Sequence, residues 1–362
     1  GPDFHPALDF HFDETFAVIA AEVRNVQENV GLCEVNGFNR FEITGAGRHQ
    51  FLDRMFCGNV TKKDGRVGLG YLLNDHGMVK GEATVANLPA SDRGPARSWY
   101  GSAAASEYHD MDWLMAHVEV NEDVQIKSLT NDQTILVLAG PKSRDVLQAV
   151  SRADWSKAAF PWLSVRECFI GFAPATVMGV SFSGELAYEI HVPNASLYAA
   201  YLALREAGRE HNLQLFGARA VDAMRMEKGF LHWKADLLTE FDPFETGLDR
   251  FVKVEKGDFI GKAALQKQIN NGPRKKLVTL KIDATHAPAY GGGSLMLGGK
   301  VVGAITSGDW GHRTGMNLAY AFVEPNVAAV GSNMQLDLLG DMVGAEVIAP
   351  SPYDPGFERM RS

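Results

Sequence analysis

The segment YGGGSLMLGGKVVGAITSGDWGHRTGMNLAYAFVEPN, residues 290–326, is a succession of short apolar runs cut by glycine-rich or proline-containing turns. The interruptions are GGG at 291–293, GG at 298–299 and EPN at 324–326. Glycine supplies the positive-φ positions of tight turns, and proline cannot continue a ladder, so each interruption ends an element. The same texture begins after NNGPRKK (270–276) and comprises six runs with no helical period between them. Evenly spaced short strands of this kind imply a small closed barrel or a sandwich. The change of texture places a boundary near residue 273, dividing the chain into units of 14–273 and 274–352.

Upstream the pattern is mixed. In DETFAVIAAEVRNVQENV (13–30), Phe16, Ile19, Val23, Val26 and Val30 share one helical stripe, with Asp13 as N-cap and Gly31 as the residue after the helix. Two short strands follow in GLCEVNGFNRFEITG, then a helix in RHQFLDRMF. Further helices are expected in SEYHDMDWLMAHV, GPKSRDVLQAV, NASLYAAYLALREAG and ARAVDAMRMEKG, with strands between 66 and 140 and over 162–192. Helices interspersed with antiparallel strands make the class α+β.

Composition narrows the function. The 362 residues are 46% hydrophobic and 22% charged, ordinary for a globular chain with a sizeable core. A net charge of -9 with no dominant basic face argues against nucleic acid or an anionic membrane as partner. The longest apolar run, IGFAPATVMGVSF (170–182), is too short to span a bilayer. The three cysteines, Cys33, Cys57 and Cys168, are far apart and suit a reducing, cytoplasmic setting rather than a disulfide framework or a zinc site. The N-terminus has no basic region of a signal peptide and no Met, which suggests a processed chain or a piece of a longer one.

Familiar catalytic motifs are missing. There is no P-loop, GAGRHQ lacks the third glycine of a dinucleotide fingerprint, and neither HExxH nor GxSxG occurs. The eleven histidines are scattered, so no metal site is expected. What remains is a set of carboxylates and arginines at strand and helix starts. Glu82 stands out: in NDHGMVKGEATVANL (74–88) a turn at Asn74–Gly77 leads into an otherwise apolar strand with one acid near its mouth. A charge that guards an exposed sheet edge would explain it, and so would a functional carboxylate.

Several stretches in register then resemble one family. FEITGAGRHQFLDRMF, LLNDHGMVKGEATV, LVLAGPKSRDVL, SFSGELAYEIHVP, FGARAVDAMRMEKGF, FDPFETGLDRFVKVEKGDFIGKAAL and VGAITSGDWGHRTGMNLAYAFV are similar, in this order, to the aminomethyltransferases typified by the T-protein of the glycine cleavage system. The stretch from MRMEKG to KGDFIGKAAL looks closest to the folate-binding C-terminal part of dimethylglycine and sarcosine dehydrogenases, and the likeness runs from about residue 14 to 355. The resemblance implies a three-domain cloverleaf, two mixed lobes and a C-terminal β-barrel, around a central hole that holds tetrahydrofolate. It also implies capture of a one-carbon unit from an N-methylated amine, oxidised by a flavin-containing domain or subunit that these residues do not include.

The resemblance also assigns residues. Glu189 in AYEIHV matches the carboxylate that pairs with the pterin ring, and Arg219 in FGARAVDAM an arginine that contacts the folate. Phe182 matches an aromatic of the pterin pocket, and Tyr71 and Trp310, the latter in a glycine-flanked loop, are further lining candidates. Arg225 and Glu227 are expected to be structural. Glu82 falls where the family usually has Asp, keeping the charge with one more methylene. Two other roles remain open: a stand-alone demethylase acting on a sulfonium or methoxy donor, and a non-catalytic folate-binding protein of iron–sulfur assembly. Relatives of the last kind carry a cysteine in the segment matching EKGFLHWKAD, where this chain has none.

Overall fold

The computed structural model describes residues 10–362. Six strands, Lys276–Ile282, Ser294–Leu297, Lys300–Gly311, Met316–Val323, Asn333–Leu338 and Asp341–Ile348, close into a barrel. Closure selects the barrel over the sandwich, and the alternate inward residues Leu280, Ile305, Ala321 and Leu336 fill its interior. The 300–311 strand runs through Gly311, so Trp310 lies in a strand and not in a loop. Its flanking glycines serve close approach: a Cβ on Gly308 would lie 2.5 Å from the Ala289 carbonyl oxygen, and one on Gly311 2.9 Å from the Glu227 side chain.

The rest of the chain forms two interleaved lobes. A six-stranded sheet is ordered Leu213–Leu215, Val30–Val35, Gln133–Ala139, Ala187–Pro193, Ala173–Met178, Val165–Ile170. Between its strands at 30–35 and 133–139 the chain leaves to build a five-stranded sheet, ordered Val67–Leu73, Val79–Leu88, Arg97–Gly101, Phe41–Thr44, Gln125–Ser128. Period-two alternation gives the larger sheet two apolar faces. Leu32, Leu136, Tyr188 and Ile190 pack on helices Ser143–Val150 and Leu197–Ala207. Cys33, Val137 and Ala187 pack on helices Thr15–Glu28 and Ala218–Lys228.

The first helix starts at Thr15, and Asp13 accepts the Thr15 amide at 2.8 Å. Gly31 sits inside a strand and does not end the helix. A Cβ there would come within 2.6 Å of Phe216 and Val26, which explains the glycine by packing. The helix at 218–228 links the parts: Ala223 and Met224 face the sheet, whereas Met226 packs on Leu318 and Tyr320 of the barrel wall. It ends at Gly229 with φ +77°, as a left-handed C-terminal residue should.

Candidate functional site

Strand 79–88 is interior to its sheet, pairing with strand 67–73 through Glu82 and with strand 97–101 from Thr84 onward, and the Glu82 carboxyl is withdrawn from solvent rather than presented at an edge. The edge-charge explanation for Glu82 therefore fails. The turn is held by the Asn74 side chain, whose oxygen accepts the His76 and Met78 amides at 3.0 and 3.1 Å, and by Gly77 at φ +76°. Glu82 is directly opposite Tyr71 in the ladder, and the Tyr71 hydroxyl is near enough to favour its charged carboxylate. Glu82 is half-buried and Tyr71 is buried. Burial pushes the Glu82 carboxyl up to about 7, against the opposing effect of the Tyr71 hydroxyl. A carboxyl of this kind can hold a negative charge or a proton near neutral pH.

Alternation places Glu82, Ala86 and Leu88 on one face of their sheet, with Trp99 opposite Ala86. That face meets the larger sheet in a cluster of Ala86, Leu88, Trp99, Val165 and Met178. Glu189 is paired in register with Met178, so Glu82 and Glu189 rise from the two sheet surfaces that pack on one another. The Glu189 side chain keeps 23% exposure. His191 Nε2 lies 3.3 Å from its Oε2, and the His191 ring meets Trp99 at 5.6 Å. Burial holds the His191 imidazole below its usual range, with Glu189 acting in the opposite sense. Arg40, buried where the chain crosses between lobes, is within electrostatic reach of Glu189. Its Nε and Nη1 have no hydrogen-bond partner.

A run of aromatic and basic side chains extends from Tyr71. Phe251 meets the Tyr71 ring edge-on at 4.9 Å, and the Arg250 guanidinium lies 4.8 Å from the Phe251 ring and 6.0 Å from that of Phe357. Phe357 is 6.4 Å from Phe230, and Phe230 stacks on Phe182 at 5.9 Å with 10° between the planes. Phe182, Phe230, Phe251 and Phe357 are all half-buried. This run joins Phe182 to Tyr71 and Glu82. Surface clefts of about 540 Å³ beside Cys168 and about 280 Å³ beside Asp309 include none of these residues.

Two further predicted residues have other partners in the fold. Arg219 is 63% exposed at its side chain and pairs with Asp13 at 3.3 Å and with the Thr15 hydroxyl at 2.5 Å. Trp310 is covered by Phe12 and Phe16 at 5.8 and 5.9 Å. Neither has a contact with Glu82, Glu189 or Phe182 among those recorded for the described residues. Arg225 bonds Asp236 at 2.6 Å, and Glu227 bonds Arg313 at 2.6 Å. His191, Phe230 and Arg250 lie within the family-like stretches but are not singled out there, Arg40 and Phe357 lie outside them, and the fold sets Arg40 and His191 by Glu189 and Phe230, Arg250 and Phe357 in the aromatic run. Among the described residues no group of three or more His, Cys, Asp or Glu could hold a metal ion, and no helix is long and apolar enough to cross a membrane.

Two mixed lobes capped by a closed six-stranded barrel, with carboxylates on the facing sheets, define an aminomethyltransferase-type fold. The chain belongs to the glycine cleavage T-protein family: residues 2–256 match its GCVT N-terminal domain and residues 275–354 its C-terminal barrel domain. It is 32% identical over 350 residues to dimethylglycine dehydrogenase of Rattus norvegicus, covering 96% of this chain and 40% of that protein. It is 28% identical over 369 residues to sarcosine dehydrogenase of Mus musculus, covering 97% of this chain and 40% of that one. The chain thus spans about two-fifths of the length of these relatives. The glycine cleavage aminomethyltransferase of Bartonella henselae has the same fold, with a TM-score of 0.82 at 21% identity over 95% of this chain and 90% of the other.

Proposed function

We propose that this chain binds tetrahydrofolate between its facing sheets and transfers to it the one-carbon unit of an oxidised N-methylated amine of the dimethylglycine or sarcosine type. The observation that carries this reading is Glu82, a carboxyl raised to about 7, on an interior strand facing the sheet of Glu189. The similarity to dimethylglycine and sarcosine dehydrogenases supports the donor class. On this reading the amine is oxidised by a flavin-containing domain or subunit, and the division of the chain falls near residue 273.

The residues present fit the folate. Glu189 retains a partly exposed carboxylate that can accept two parallel N–H bonds from a pterin edge. Phe182 and Phe230 offer ring faces, and the unpartnered Arg40 nitrogens are donors that a bound polar group or its waters would satisfy. When bound, tetrahydrofolate supplies the nitrogen nucleophile, so the protein needs none. Glu82 then stabilises positive charge on the incoming one-carbon carrier and can hold the released proton. Tyr71 favours the charged carboxylate through its hydroxyl, and the apolar flanks Ala86 and Trp99 keep water from the reacting groups.

The test is direct. Tetrahydrofolate binding is followed by calorimetry, and the folate product formed with formaldehyde is identified by mass spectrometry. Product formation faster than the protein-free blank, and dependent on Glu82, is expected. No binding heat together with a blank-level rate would refute the reading.

A further inference from the structure

After the barrel the chain turns back, and residues 353–361 lie across helix 218–228 and the aromatic run. Two non-glycine residues of this tail have left-handed backbone, Asp354 at φ +45° and Phe357 at φ +59°. That conformation is a genuine outlier for a bulky residue, and such strain persists only where surrounding contacts over-determine it. Here they do. The Asp354 carboxylate accepts the Glu358 and Arg359 amides at 3.0 and 3.2 Å, and its carbonyl accepts the Phe357 amide at 3.0 Å.

The tail is also bolted to the lobes. Lys228, buried on helix 218–228, pairs with Asp354 at 3.1 Å and sits 4.0 Å from the centre of the Phe357 ring. Tyr353 and Arg359 both bond the buried Glu185, which Arg313 of the barrel also holds at 2.8 Å. Anchors from the larger sheet's lobe, the linking helix and the barrel thus fix one strained turn. That turn presents a single half-buried ring, Phe357, between Phe230 and Arg250.

We propose that Phe357 is a specificity-determining residue that touches the ligand: the tail carries its ring back as the outer wall of the aromatic run begun by Phe182 and Phe230. An aromatic heterocycle is the ligand chemistry this wall suits, since offset or edge-on ring contacts add to simple burial. The inference rests on the folate reading above.

Calorimetric titration of tetrahydrofolate into the full chain and into Phe357→Ala, Phe357→Leu, Phe357→Tyr and Glu189→Gln tests it, with a thermal melt of each. Phe357→Ala should bind about tenfold more weakly, the scale of one lost aromatic contact. Phe357→Leu, which keeps apolar packing without the ring, should fold like the wild type and still bind several-fold more weakly, whereas Phe357→Tyr should retain wild-type affinity. Folded Phe357→Leu with unchanged affinity, beside a Glu189→Gln variant that is weakened, would overturn the role of Phe357 alone. A wild-type chain that does not bind tetrahydrofolate would overturn the folate reading, and this inference with it.

Discussion

Replacing Glu82 by Gln should slow turnover and, at the same time, stabilise the free protein at alkaline pH. The carboxyl is raised from 4.5 to about 7 by burial, so the charged form is the disfavoured one in the folded chain. Below pH 4.5 both folded and unfolded chains carry a proton on Glu82 and the group is neutral in its effect. Between 4.5 and 7 the unfolded chain has released that proton and the folded chain has not, so stability falls as pH rises through this window. Above about 7 the full cost is present, on the order of 3 kcal/mol for a displacement of this size. Glutamine has the shape but not the titration. Glu82→Gln should therefore melt with the wild type near pH 4.5 and roughly 3–6 °C above it at pH 8.5, allowing for the shallow dependence of Tm on free energy in a large chain. Turnover should drop roughly 10²–10³-fold with folate affinity largely kept, the scale of losing one preorganised charge. Melting curves of the two proteins from pH 4.5 to 9 in the absence of ligand, with single-turnover rates, provide the assay. Parallel melting at every pH would refute the burial argument, and an unchanged rate would remove Glu82 from the chemistry.

Glu189→Gln should weaken tetrahydrofolate binding by about 2 kcal/mol, the range for a charged hydrogen-bond partner, and unchanged calorimetric affinity in a folded variant would refute its role. Arg313→Met strips the buried Glu185 and Glu227 of their shared partner, and should cost about 3–5 kcal/mol by denaturant titration. Residues 1–273 alone would uncover Met226, which packs on Leu318 and Tyr320. They should associate or bind a hydrophobic dye and bind folate poorly, and a monomeric, tight-binding fragment would contradict that. Arg219→Ala, whose partners are Asp13 and Thr15, should leave folate affinity within about twofold, since exposed ion pairs contribute at most about 1 kcal/mol.

How much of this was legible in the sequence follows from how locally each feature is specified. The barrel was, because its strands are delimited by turns whose glycines and prolines act on their immediate neighbours. Trp310 shows where that logic misleads. Gly308 and Gly311 look like loop residues, but each makes room for a distant group, the Ala289 carbonyl and the Glu227 side chain. A glycine required by tertiary packing and one required by a turn are identical in sequence. Arg219's place at a helix start was legible, but its partners Asp13 and Thr15 were not, because they are more than 200 residues away and the face it occupies is set by how helix 218–228 wedges between sheet and barrel.

Glu82 was legible as an anomaly and not as an answer, since one strand's pattern cannot reveal whether it has neighbours on both sides. Sheet order decided that. The least legible part is the assembly around Glu185. Arg313 reaches Glu227 across 86 residues and Glu185 across 128, and Tyr353 reaches Glu185 across 168. None of these residues has a spacing that marks it as part of one buried assembly. Yet removing solvent from three or more charges requires that all of them arrive together, so this assembly forms only when both lobes, the barrel and the tail are already docked. The same contacts that fix the tail turn hold Phe357 beside Phe230. The aromatic wall is therefore a property of the completed fold, and its presence is coupled to the docking of the barrel in a way that no segment of the chain carries by itself.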